Sequence, residues 1–269
     1  MKFNLKGLLA IAAAASALVL SGCGEKAADN SKIKVGVMAG AEAQVAEVAA
    51  KVAKEQYGLE VELVTFTDYV TPNAALDDGS IDINAFQHKP YLDQQVADRG
   101  YKLTIAGNTF VYPIAGYSKQ VKSVDEIQEG ARIAVPNDPT NLGRSLLLLE
   151  QQGLIELREG AGLLATVRDI TANPKNISIV ELDAAQLPRS LDDVALSIIN
   201  TTYASSINLT PQKDGVFVED KESPYVNLIV SREENLNAEN VQNFVKSYQT
   251  EEVYAAASEI FQGGVVKGW

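Results

Sequence analysis

Asn141 and Arg144 stand three residues apart in the segment Val135-Pro136-Asn137-Asp138-Pro139-Thr140-Asn141-Leu142-Gly143-Arg144, which follows a β-type run and opens a helical one. Asp138 fits a helix N-cap and Pro139 the first helical position. Residues three apart share one face of the opening turns. A guanidinium there can meet a carboxylate in a bidentate fork, and the free N–H groups and dipole of the helix draw an anion to the same place. The pattern equally describes a solvated arginine on an ordinary helix surface.

A second group is aromatic. Ile81-Asp82-Ile83-Asn84-Ala85-Phe86 alternates, placing Ile81, Ile83 and Ala85 on one face and Asn84 and Phe86 on the other, with His88 continuing that series into the loop. Phe86, His88 and Tyr91 then gather at one sheet edge, and Tyr69, just after the run 59–66, ends in a comparable place. Such walls suit an apolar or thioether side chain, since sulfur–ring contacts contribute roughly 0.3–1.5 kcal/mol. They serve as well to seal a core, with His88 a hydrogen-bonded structural residue. Asn200 follows the run 194–199 and Asn227 lies within 225–231; each offers an amide oxygen that can accept from an ammonium without burying a further charge. Asn200 is also a good N-cap and Asn227 an ordinary edge-strand residue, so neither alone marks a site.

Much other chemistry is disfavoured. A single His, at 88, rules out a multi-histidine metal centre, and a single Cys, at 23, forbids an internal disulfide. G-x-S-x-G, H-E-x-x-H, P-loop and G-x-G-x-x-G patterns are absent, so neither an enzyme nor a cofactor is expected. The formal net charge of −12 opposes nucleic-acid binding. With 46% hydrophobic and 22% charged residues, the 269-residue chain has material for a substantial core.

The elements that must position these residues alternate. Strands are expected at 33–37, 59–66 and 81–86, with helices at 42–56, about 70–77 and 90–98. Gly58 and Gly100 stand where helices should stop and Pro90 where one should start. A second set follows: strand 132–135, helix 139–152, strand 177–182, a short helix near 184–190, strand 194–199 and a helix opening at Asn200. Tyr225 to Ser231 reads as a strand, and helices at about 238–249 and 251–261 close the chain. Two β-rich stretches, Asn108–Ser118 and Pro224–Ser231, can carry the chain to a second lobe and back. The expectation is an α/β chain with a discontinuous first lobe (32–111 and 230–269), a second lobe (112–229) and a cleft between them. Ligands favour such interfaces and the carboxyl ends of strands.

The N-terminus reads as a lipoprotein signal peptide, residues 1–22. Lys2 and Lys6 precede an apolar run from Leu8 to Leu20, whose 13 residues fall short of the roughly 20 that a membrane-spanning helix needs. The run ends in Leu20-Ser21-Gly22-Cys23, which resembles a bacterial lipobox, so Cys23 is the expected lipidation site. Residues 23–31, small and polar after the Cys, are expected to form a lipidated tether. Gly24 stands where inner-membrane lipoproteins typically carry Asp, which leaves the choice of membrane open.

Several long segments carry a family resemblance: KVGVMAGAEAQVAEVA, VTFTDYVTPNAALDDGSIDINAFQHKPYLDQQ, NTFVYPIAGYSK, AVPNDPTNLGRSLLLLEQQGLI and ESPYVNLIVSRE. Together they resemble the NlpA/MetQ family of substrate-binding lipoproteins across nearly all of 32–269. SLDDVALSII, before NTTYA, is slightly shorter than the family pattern. The resemblance implies a two-lobed periplasmic-binding-protein fold with two β-strand hinge crossovers. It implies capture of L-methionine and delivery to a methionine ABC importer, through its permease and ATPase subunits. Carried over, Arg144 would hold the carboxylate, Asn141, Asn200 and Asn227 the polar end, and Tyr69, Phe86, His88 and Tyr91 the thioether side chain. The protein would be lipid-anchored in the cell envelope, facing the periplasm. Alternatives are a related ligand, such as D-methionine, a methionine-containing dipeptide or another apolar amino acid, and a surface lipoprotein with an adhesin or structural role.

Overall fold

The computed structural model describes residues 30–220 and 224–269; the expected signal peptide and Cys23 lie outside the described residues. The first half runs β1 (Lys32–Met38), α1 (Ala41–Tyr57), β2 (Glu60–Phe66), α2 (Thr71–Asp77), β3 (Ile83–His88), α3 (Lys89–Arg99) and β4 (Leu103–Val111). The second opens with β5 (Ala115–Tyr117), β6 (Arg132–Pro136), α4 (Pro139–Gln151), a ribbon of β7 (Glu156–Leu157) and β8 (Ile170–Ala172), and β9 (Ser178–Leu182). It continues with α5 (Leu187–Ser190), β10 (Leu196–Ile199), α6 (Thr201–Ser205), α7 (Pro211–Asp214) and β11 (Phe217–Val218). The chain then returns through β12 (Val226–Arg232) to α8 (Glu239–Tyr248), α9 (Glu251–Ile260) and β13 (Val266–Lys267).

Two sheets result, in the orders β13-β4-β12-β3-β1-β2 and β11-β5-β10-β6-β9. β1 pairs in parallel with β2 and β3, and β6 with β9 and β10, as βα units require. The return strand β12 is antiparallel to both β3 and β4. The architecture is thus the expected two-lobed α/β fold, crossed once between β4 and β5 and once between β11 and β12. The lobe boundary expected at 229/230 falls inside β12, which pairs with the first sheet from Val226 to Arg232. Leu228, Ile229 and Val230 are all buried there, as a strand covered on both faces must be.

The packing follows from helical spacing. Val45, Ala46, Ala49, Val52 and Ala53 form the buried stripe of α1 and join Val241, Phe244 and Val245 of α8 over the first sheet. In the second half Leu142, Leu146 and Leu149 of α4 pack with Ile133, Val135 and Ile198. A third cluster joins the halves: Met38, Phe86 and Tyr91 from the first, with Tyr117, Leu187, Ile199 and Tyr203 from the second.

The strand expected at 81–86 begins two residues later. Asp78 accepts the Ser80 N–H at 2.8 Å and Asp82 accepts the Lys34 N–H at 2.8 Å, so 78–82 form a turn instead. The simple alternation also fails. Asn227 faces His88, Leu228 faces Gln87 and Ile229 faces Ala85, leaving Phe86 as an extra residue in a β-bulge.

Two consequences are measurable. A Cβ at Gly143 of α4 would lie 2.2 Å from the Leu163 carbonyl oxygen, so that loop seats on α4 only over glycine. Gly143→Ala should cost about 1–3 kcal/mol in denaturant unfolding. Glu42 of α1 is buried, and its carboxyl accepts a hydrogen bond across the halves from the Thr202 hydroxyl of α6. Burial pushes the Glu42 carboxyl from 4.5 up to about 8, against the opposing Thr202 bond. The native state then keeps a proton that the unfolded chain releases, so this contribution is complete below 4.5 and is lost as pH rises through about 8. Glu42→Gln should therefore gain on the wild type by roughly 1.4 kcal/mol per pH unit across that window, read from urea unfolding at about pH 5 and about pH 7.5.

Candidate functional site

The opening of α4 is fixed by its cap. Asp138 accepts the Asn141 backbone N–H at 2.9 Å, the Thr140 hydroxyl at 2.9 Å and the Asn141 side-chain amide at 2.9 and 3.1 Å. With its nitrogen committed to Asp138, Asn141 presents its oxygen to His88 Nε2 at 3.3 Å and to Asn200 Nδ2 at 2.9 Å. His88 caps α3, its Nδ1 accepting the Tyr91 N–H at 3.2 Å, which places the ring proton on Nε2, facing Asn141. Burial, then the nearby Arg144 charge, lower the His88 pKa to about 3. This imidazole is neutral at physiological pH.

Asn200 occupies the N-cap position of α6 but makes no side-chain cap bond among the described residues. Its nitrogen is turned to Asn141, and its oxygen is buried without a hydrogen-bond partner among the described residues. A buried acceptor left unmatched costs about 1–3 kcal/mol. Asn227, opposite His88 in the β3–β12 ladder, donates to the Phe86 carbonyl at 3.0 Å.

Arg144 is buried, and two of its nitrogens are already engaged. Nε donates to Glu219 Oε1 at 2.8 Å, and Nη2 donates to Glu219 Oε2 and, at 3.1 Å, to the Tyr112 carbonyl. The Tyr225 ring lies 4.2 Å from the guanidinium carbon, within cation–π range. The fork expected to await a ligand is therefore filled on one edge by Glu219. Nη1 is the nitrogen not engaged in these contacts.

The aromatic rings converge. Tyr69 lies 5.9 Å from Phe86 and 6.2 Å from Tyr91, and Phe86 lies 6.0 Å from Tyr91, centroid to centroid. Tyr91 donates its hydroxyl to the Tyr69 carbonyl at 2.7 Å. Tyr203 adds a further ring 4.9 Å from Tyr69. Burial raises the Tyr69 and Tyr91 phenols above their ordinary range, so they stay neutral donors. Beneath them the buried amides of Asn73, Asn84 and Gln87 bond one another: Asn73 Nδ2 to Gln87 Oε1 at 2.8 Å, Asn84 Nδ2 to Asn73 Oδ1 at 2.9 Å and Gln87 Nε2 to Asn84 Oδ1 at 3.0 Å. Such a satisfied network makes a rigid floor.

All eight expected residues, Tyr69, Phe86, His88, Tyr91, Asn141, Arg144, Asn200 and Asn227, line one cavity between the two halves, about 360 Å³ including its open mouth. Gln87, Tyr112, Thr201 and Thr202 line it too. Three consecutive residues, Phe86 to His88, reach it because of the bulge. Thr201 and Thr202 follow Asn200 directly, a polar run at a strand end that could have been read as a unit. Glu219 and the Tyr225 ring, both against Arg144, were not among the expected residues. One end of this cavity is polar and charge-bearing and the other is aromatic, a shape suited to a small amphiphile.

Known proteins agree. The family model described as NlpA lipoprotein matches residues 33–269. The chain is 83% identical over 269 residues, all of both chains, to the probable D-methionine-binding lipoprotein MetQ of Vibrio cholerae. It is 67% identical over 271 residues, again all of both chains, to the D-methionine-binding lipoprotein MetQ of Escherichia coli. Among solved structures, a methionine-binding protein, MetQ, superposes with a TM-score of 0.89 at 71% identity, covering 90% of this chain and 99% of that one. A nutrient-binding protein from Burkholderia cenocepacia, bound to methionine, superposes with a TM-score of 0.86 at 51% identity, covering 88% of this chain and all of that one. This chain therefore belongs to the NlpA lipoprotein family.

Proposed function

We propose that this protein captures L-methionine in the cavity between its lobes and delivers it to an ABC importer, held at the cell envelope through a lipidated Cys23. The observation that carries the reading is the juxtaposition of the Arg144 guanidinium, the Asn200 oxygen, which has no partner among the described residues, and the Tyr69–Phe86–Tyr91 rings in one cavity. A carboxylate meets the first, an ammonium the second and a thioether the third. The names of the relatives support methionine as the ligand class. Binding shifts the population toward the closed lobes by as much as the ligand prefers that state. Residues 32–111 and 226–269 would move against 115–218 at the two crossovers.

A second reading, D-methionine, is favoured by the names of the curated relatives. Calorimetry on the purified protein, unfolded and refolded to strip carried-over ligand, separates the two: the L-isomer should bind more tightly than the D-isomer. Tighter D-isomer binding would reverse the assignment, and no heat with either would end it.

Arg144→Ala should weaken methionine by at least about 30-fold, in keeping with roughly 2–5 kcal/mol for truncating a buried charge partner. It should also lower stability, because Glu219 is left buried and unpaired. Adding Glu219→Gln should recover that stability but not binding. Full affinity in the double variant would remove Arg144 from the site.

A further inference from the structure

Arg144 has a buried partner that capture of a carboxylate does not require. Glu219 stands just after β11, and its two oxygens take Arg144 Nε, at 2.8 Å, and Nη2. The two side chains are 3% and 11% exposed, so the pair is nearly out of water. Of the other ionisable groups nearby, two carry no charge at neutral pH. His88, lowered to about 3, is neutral. Glu42, pushed up to about 8, keeps its proton at neutral pH. Asp138 is turned to the α4 cap, where Thr140 and Asn141 hold it. Arg144 and Glu219 form a directly bonded pair of opposite charges, and the Asp138 carboxylate, bonded to Asn141, is a second negative charge outside the cavity lining. Without Glu219, Arg144 would have no directly bonded carboxylate among the described residues.

We propose that Glu219 is a specificity-determining residue: by cancelling the charge of Arg144 it confines the cavity to zwitterionic amino acids and turns away carboxylates that lack an ammonium. This rests on the methionine reading above. A lone guanidinium in a water-poor cavity attracts any small carboxylate, because the attraction grows as the dielectric falls. Once Glu219 balances it, an incoming carboxylate leaves the site with one net negative charge, which is costly to bury. A zwitterion brings its own compensation, and the buried Asn200 oxygen is free to accept from that ammonium. Nη1 of Arg144 can still donate to the carboxylate, so the pairing with Glu219 sets a charge condition without closing the site.

The test is titration calorimetry with L-methionine and with 4-(methylthio)butanoate, the same molecule without its amino group, on the refolded wild type and on Glu219→Gln. The dissociation-constant ratio, analogue over methionine, should fall by about tenfold or more in Glu219→Gln, mainly through tighter binding of the analogue. Glu219→Asp, which keeps the charge, should hold the wild-type ratio to within about threefold. An unchanged ratio in Glu219→Gln, whatever the absolute affinities do, would reduce Glu219 to a structural support and overturn the proposal. If Glu219→Gln does not refold, Glu219→Ala with and without formate decides the matter. The ratio should be low without formate and restored by it, and a ratio indifferent to formate would overturn the proposal. Wild type that binds neither compound would overturn the methionine reading itself, an outcome distinct from an unchanged ratio.

Discussion

The guanidinium of Arg144 is the group around which the rest is arranged. A buried cation survives only where its donors are matched, and this one is matched from three directions: a carboxylate on the loop after β11, a carbonyl at the first crossover and a ring beside the second. Each partner comes from a different part of the chain. Arg144 therefore reports on the closure of the whole molecule, because Glu219, Tyr112 and Tyr225 meet only when both crossovers are in place.

Beside it, neutral polar groups are locked in one orientation. Asp138 fixes the Asn141 amide, Asn141 fixes both His88 and Asn200, and the chain of bonds ends in a single unsatisfied oxygen. The direction of every bond follows from one cap, so the acceptor presented to the cavity is set by a helix start in the second lobe. The aromatic end is held differently, by packing and by the amide cluster of Asn73, Asn84 and Gln87. The cavity is thus ordered by hydrogen bonds at one end and by packed rings at the other.

Much of this was legible in the sequence because local rules dominate it. Asp138-Pro139 marks the start of α4 to the residue, and Gly58 and Gly100 take the left-handed conformation that ends α1 and α3. The eight candidate residues could be named, yet spacing left each with an ordinary alternative; only the long-range pairing of β12 with β3 and the packing of α4 on that edge bring them together. What could not be read was non-local. The bulge at Phe86 depends on its partner strand, and the Arg144–Glu219 pair joins residues 75 apart through the tertiary fold. Glu219 stands in the acidic run Glu219-Asp220-Lys221-Glu222, and such a run carries no signal of which member turns inward.

The position of β12 has a bearing on how the chain acquires its structure. It lies between β3 and β4, two strands that precede it by more than a hundred residues, and supplies the inner rungs that join them. Until synthesis reaches residue 232, the first half has two facing sheet edges with nothing between them, however well α1, α2 and α3 have formed. Topology of this kind folds slowly, because a long loop must close before its contacts repay the lost entropy. The second sheet, by contrast, is complete in sequence by Val218, so a nascent chain of this design can finish its middle before its beginning, and the first half waits on the last strand to be joined.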